Sequence, residues 1–139
     1  MLIKIIRLAL AFRGTSEMKD IATDIHILKG QENEQQFQEA NSMYNNIRML
    51  YQDYSIEATG HSKGGSLALY LNKRYGIKCE VFNAGIGGGV FQSNPNKDKA
   101  ILHIIKGDPI SNLGTLGNLG TVKLYEAKSE NPHSLSNFF

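Results

Sequence analysis

The segment Gly60-His61-Ser62-Lys63-Gly64 constrains the fold of this chain more than any other. Gly-x-Ser-x-Gly is the signature of a strand-to-helix turn so tight that only glycine fits on either side of the serine. Such a turn holds the serine in a strained backbone conformation and lifts its hydroxyl above the sheet. Five letters also recur by chance, so the flanks decide. Upstream, Ser55-Ile56-Glu57-Ala58-Thr59 is a short, partly alternating run that suits a strand. Downstream, Leu67, Tyr70 and Leu71 recur at helical spacing, with Ala68 and Leu69 beside them. Gly64 and Gly65 carry no bulk, so this helix can pass close to neighbouring strands. Strand, turn and helix together predict a nucleophile at Ser62. The plain alternative is a glycine-rich turn before an inert helix.

The remaining periodicity builds a sheet around that turn. Strands are expected over 2–12, 54–59, 77–83, 100–106 and 121–126. Asn33 is placed to cap a helix, with Gln36 answering it, and Phe37, Ala40, Tyr44, Ile47 and Tyr51 then form one apolar stripe facing the core. Strands and helices alternate early in the chain, which predicts an α/β fold with a mostly parallel central sheet flanked by helices. At 139 residues the chain is expected to form a single domain, 1–139, around one core. Cys79 alternates with Ile77 and Val81 and reads as a core-facing strand residue, not a nucleophile.

A nucleophilic serine needs a histidine base and an acid to orient it. In folds with this turn the chain order is serine, acid, histidine, and only His103 and His133 follow Ser62. His103 lies inside the apolar run 100–106 and reads as a packed sheet residue. His133, in Asn131-Pro132-His133-Ser134, follows the last expected strand, where a loop can carry it to the site. Among the acids, Asp98 precedes its strand, whereas Asp108 follows it, at the carboxyl end where active sites of open parallel sheets lie. Asp108 is therefore favoured, although Asp-Pro is also an ordinary turn. Glu80 falls within a strand, and Glu126 and Glu130 are less well placed but stay open. The oxyanion needs two donors. The Lys63 amide follows the nucleophile, and Thr15, in Arg13-Gly14-Thr15-Ser16, can donate from amide and hydroxyl at the end of the first strand.

Taken in order, Ala11-Phe12-Arg13-Gly14-Thr15, Gly60-His61-Ser62-Lys63-Gly64-Gly65, Gly107-Asp108-Pro109 and His133-Ser134-Leu135-Ser136 resemble the class 3 lipases, the fungal-lipase-like branch of the α/β-hydrolases. The Ser-Lys-Gly-Gly form of the elbow is similar to a bacterial branch of lipase-like proteins. Phe82-Asn83-Ala84-Gly85 also resembles the family's strand-end segment after the elbow helix. The resemblance implies that Thr15 helps form the oxyanion hole and that Asp24, nine positions on, supports its hydroxyl. Family enzymes are longer, with strands before the Phe-Arg-Gly block and a lid after it. Here 16–33 is the only room for a lid, and its amphipathic piece, Ile21, Ile25 and Leu28, reads slightly better as packing on the sheet.

These residues imply a serine hydrolase acting on a carboxylic ester of a lipid or acylglycerol, with no cofactor. A thioesterase or amidase of the same mechanism, and a binding module without turnover, remain as alternatives. Other classes are disfavoured. A net charge of +2 with no basic run among aromatics argues against nucleic acid, and no cysteine–histidine cluster has metal-ligand spacing. Gly85-Ile86-Gly87-Gly88-Gly89 lacks the Gly-Lys-Ser/Thr ending of a phosphate loop. The leucine rhythm of 112–120 reads as a loop beside the site, with Leu113, Leu116 and Leu119 near an acyl chain. The apolar amino terminus is broken by charge and followed by no cleavage site, and one cysteine suits a reducing compartment. The expectation is a cytoplasmic protein without stable membrane insertion, open to transient contact with a lipid surface.

Overall fold

The computed structural model describes residues 6–13, 32–84, 93–107 and 117–139. Five strands form one sheet: β1 (Arg7–Phe12), β2 (Ser55–His61), β3 (Lys78–Phe82), β4 (Ala100–Ile105) and β5 (Thr121–Tyr125). Their spatial order is that of the sequence, and each neighbouring pair is parallel. Helix α1 (Glu32–Leu50) follows β1, and α2 (Lys63–Tyr75) joins β2 to β3. Every expected strand is present with ends moved by a residue or two, residues 2–5 of the first lying outside the described residues. α1 starts before Asn33, which therefore sits inside the first turn rather than at the cap.

The register explains which side is dry. Leu8, Leu10, Ile56, Ala58, Cys79, Val81, Leu102 and Ile104 fall on one face, and α2 lays Ala68, Leu69 and Leu71 against it. Each such leucine contributes about 2 kcal/mol by leaving water. α1 then covers α2 with its stripe: Phe37 stacks on Tyr70 at 4.6 Å and Tyr44 on Tyr75 at 4.2 Å. The stripe ends sooner than expected. Tyr51 lies past the last helical residue, 39% exposed and edge-on to Tyr54. Burial of Cys79 on the core face pushes its thiol up to about 12, with the neighbouring Glu80 charge adding to the effect, so it holds no thiolate near neutrality.

The opposite face carries Glu57, Thr59, His61, Glu80, Phe82, His103 and Tyr125. His103 is buried there as a sheet residue, in line with its sequence context. It stacks on Phe82 at 4.6 Å and bonds Tyr125 Oη at 2.6 Å and Glu80 Oε1 at 2.5 Å. The 3-10 turn Leu135–Phe138 closes this half of the face, Phe138 meeting Phe82 and Tyr125 edge-on.

The amino-terminal edge of the sheet is tied by buried amides. Asn72, on α2, donates to Ile77 O at 2.8 Å and accepts from Asn94 Nδ2 at 2.7 Å, while Asn94 also donates to Leu119 O at 2.8 Å. Asn96 returns to α2 by donating to Asn72 O at 3.1 Å and Lys73 O at 3.0 Å. One helix end is thus joined to the entries of β4 and β5. Asn72→Leu is expected to cost about 2 kcal/mol, because Ile77 O and Asn94 Nδ2 each lose a buried partner. A lower urea midpoint at unchanged m-value is the expected readout; an unchanged midpoint would mean that water replaces the side chain.

Candidate active site

β2 ends at His61 and α2 starts at Lys63, so Ser62 is the joint between them. Its φ of 56° and ψ of −124° lie where side-chain-bearing residues rarely go. Such a conformation costs about 1–3 kcal/mol and persists only when its surroundings impose it. Ser62 N donates to Phe82 O at 3.0 Å, and Ser62 O accepts from Ser66 N at 3.1 Å. Its hydroxyl makes no capping bond to the helix that follows. The glycines are steric necessities. A Cβ on Gly64 would lie 2.2 Å from Phe12 O, and one on Gly60 would lie 2.3 Å from Gly64 C and O. The turn therefore closes by packing backbone on backbone, drawing the end of β1 against the start of α2. Lys63 opens α2, and its amide is among the first helical N–H groups, for which the helix has no acceptor.

His133 stands beside this turn, 1% exposed, just before the closing 3-10 turn. Its ring centre is 4.9 Å from that of His61, and its carbonyl oxygen is 2.7 Å from His61 Nε2. Asn83, the residue after β3, donates from Nδ2 to Pro132 O at 3.2 Å and to His133 O at 3.3 Å. The loop also braces itself. His133 N donates to Asn131 Oδ1 at 3.0 Å, and buried Asn137 accepts from Lys128 N and Ser129 N while donating to Asn131 O and Ser134 O. Ser62 and His133, 71 positions apart in the sequence, are thus brought to the carboxyl-terminal edge of the sheet through His61, which precedes the first and bonds the second.

Asp108, Thr15 and Asp24 lie outside the described residues, as do 16–31, 85–89, Leu113 and Leu116. Among the other acids, Glu80 bonds His103, Glu126 pairs with Lys106 at 2.8 Å, and Asp98 sits in the turn Lys97–Lys99 before β4, at the far edge. Leu119 does not belong near an acyl chain. It is fully buried in the core at the entry to β5, at the edge opposite Ser62, because its turn is tied to Asn94. His61 and Asn83 are the contacts that sequence reasoning missed. The first occupies the variable position of the Gly-x-Ser-x-Gly signature. The second lies in the Phe82-Asn83-Ala84-Gly85 segment of the family resemblance, which gives it no contact with His133, and it directly follows a strand, where left-handed asparagine is tolerated.

Among the described residues no group of three or more His, Cys, Asp or Glu side chains is placed to hold a metal ion, and no helix is long and apolar enough to cross a membrane. The described part of the site is thus a strained serine at a strand–helix joint, with a buried histidine held against the residue before it, His61.

Comparison with known proteins agrees with this geometry. The family model of the Tle-like phospholipase domain, a phospholipase-like group, matches residues 4–101. That span holds β1, α1, the Ser62 turn, α2 and β3, whereas His133 lies beyond it. No curated protein matches the chain. Among solved structures, YahD with malic acid superposes with a TM-score of 0.54 at 18% identity, covering 94% of this chain and 86% of that one. At that identity the likeness is one of fold: a small, truncated α/β-hydrolase sheet. The matched span and the elbow within it make this chain a member of the phospholipase-like family of the Tle-like domain, a lipase-like hydrolase family.

Proposed function

We propose that the chain, acting as one domain, is a serine hydrolase of the class 3 lipase type that cleaves a carboxylic ester of a lipid, with Ser62 as nucleophile, His133 as base and Asp108 as the acid that orients it. Ser62 Oγ attacks the carbonyl carbon while His133 takes the hydroxyl proton. The oxyanion is held by the Lys63 amide and by Thr15, whose hydroxyl Asp24 supports, each donor contributing about 3 kcal/mol in studied hydrolases. Collapse of the tetrahedral intermediate breaks the ester C–O bond, and His133 returns the proton to the departing alcohol. Water then attacks the acyl-enzyme, gives a proton to His133, and Ser62 recovers it as the acid leaves. No cofactor enters these steps.

The observation that carries this reading is the Ser62 turn itself, a φ of 56° on a serine whose hydroxyl is not spent on capping α2. Membership of a phospholipase-like family supports a lipid ester over other acyl donors. The test is a fluorophosphonate probe, which modifies only activated serines, followed by mass mapping. The expected result is one adduct, on Ser62. A folded parent that takes no label in buffer, detergent or lipid would remove the hydrolase reading in favour of a binding module. Parallel ester, thioester and amide substrates then identify the leaving group.

A further inference from the structure

A base carried on a loop acts only if the loop is held to within about 0.5 Å of its working position. Residues 131–134 belong to no strand, so something outside the loop must locate His133. We propose that His61 and Asn83 do so as positioning residues, clamping the main-chain carbonyl of His133 from the ends of β2 and β3. The inference rests on His133 being the base.

The hydrogen-bond partners fix the chemistry of both clamps. A carbonyl oxygen only accepts, so His61 must carry its proton on Nε2, the atom 2.7 Å from His133 O. Asn83 Oδ1 accepts from Ile105 N at 3.0 Å, which determines the amide orientation and turns Nδ2 toward Pro132 O and His133 O. Asn83 itself cannot drift. It is fully buried, its N–H donates to His103 O at 2.8 Å, and its φ of 46° is held by that bonding. His61 is covalently next to Ser62, so one dipeptide presents the nucleophile and grips the base loop. The variable position of the elbow signature is, in this chain, the part that sets nucleophile and base in one frame.

His61→Ala, His61→Gln and Asn83→Asp separate this role from general support. Glutamine places an amide donor close to where Nε2 stood. Aspartate keeps the Oδ1 acceptor but loses both donors. The rate of fluorophosphonate adduct formation on Ser62 is expected to fall about 10- to 100-fold in His61→Ala, the scale of a misplacement near 1 Å. Glutamine should restore it to within about threefold, and Asn83→Asp should resemble alanine at 61. Hydrogen exchange of the peptide spanning 131–135 should quicken in the two slow variants only. A folded His61→Ala that labels at the parental rate, or a glutamine no better than alanine, overturns the proposal. A parent that takes no label, with exchange still quickened in His61→Ala, overturns the base assignment and leaves a purely structural clamp. The two failures are thereby told apart.

Discussion

Ser62→Ala, His133→Ala and the double variant are each expected to lose ester hydrolysis by a similar factor, on the order of 10⁴ to 10⁶ in kcat, with KM little changed. The similarity is the informative part. In the proposed mechanism nothing takes the Ser62 proton once His133 is gone, and without Ser62 the imidazole has no nucleophile to serve, so the second loss adds little to the first. KM stays because neither group is needed to hold the ground-state substrate. Residual turnover should reflect the oxyanion donors, with the Lys63 amide at the helix start unaffected by either change. Steady-state kinetics on a soluble short-chain ester, with folding checked by circular dichroism, gives the answer. Losses that multiplied in the double variant would mean two independent contributions, and the coupled mechanism would be wrong.

Gly64→Ala is expected to lower stability by about 3 kcal/mol or more, because the added methyl meets backbone instead of a movable side chain. Its Cβ would stand 2.2 Å from Phe12 O, 2.8 Å from Phe12 C and 3.0 Å from Arg13 C. Relief requires β1 and α2 to part, and those two elements frame the turn on Ser62. In a chain of this size the corresponding fall in melting temperature is about 10 °C. Gly117→Ala is the control, with nothing within 4 Å of its Cβ and an expected change of no more than about 0.5 kcal/mol. Differential scanning calorimetry on the pair, together with fluorophosphonate labelling, tests both consequences. A Gly64→Ala protein of parental stability that still labels at Ser62 would show that the turn tolerates a wider geometry than the packing implies.

Local physics made much of this molecule readable. The alternation of Ile77, Cys79 and Val81 and the apolar run 100–106 both read as strands, and the period of two then sends Cys79, Val81 and Leu102 to one face. The stripe at Phe37, Ala40 and Tyr44 had to face the core, since a helix brings those positions to one side. Ser62 could be placed because the sterics of its turn are written in five consecutive letters. His103 and Cys79 were likewise recognisable as sheet residues from their apolar neighbours.

Other features had no local trace. Asn33 sits two residues too far in to cap its helix, because helix ends depend on the chain entering them and not on one good capping residue. Leu119 belongs to the core and not to the site, because Asn94, itself bonded to Asn72 of α2, holds the Leu119 carbonyl across 25 positions of chain. His61 and Asn83 reach His133 across 72 and 50 positions, and no periodicity links residues so far apart. By itself, then, the sequence determined the parallel α/β sheet, the dry face of its helices and the strained turn at Ser62, all consequences of side-chain spacing and short-range sterics. Only the tertiary structure decided that the elbow's own histidine holds the loop of His133, and that asparagines bind the far edge of the sheet. A hydrogen bond between distant segments exists only once the strands between them have been laid side by side.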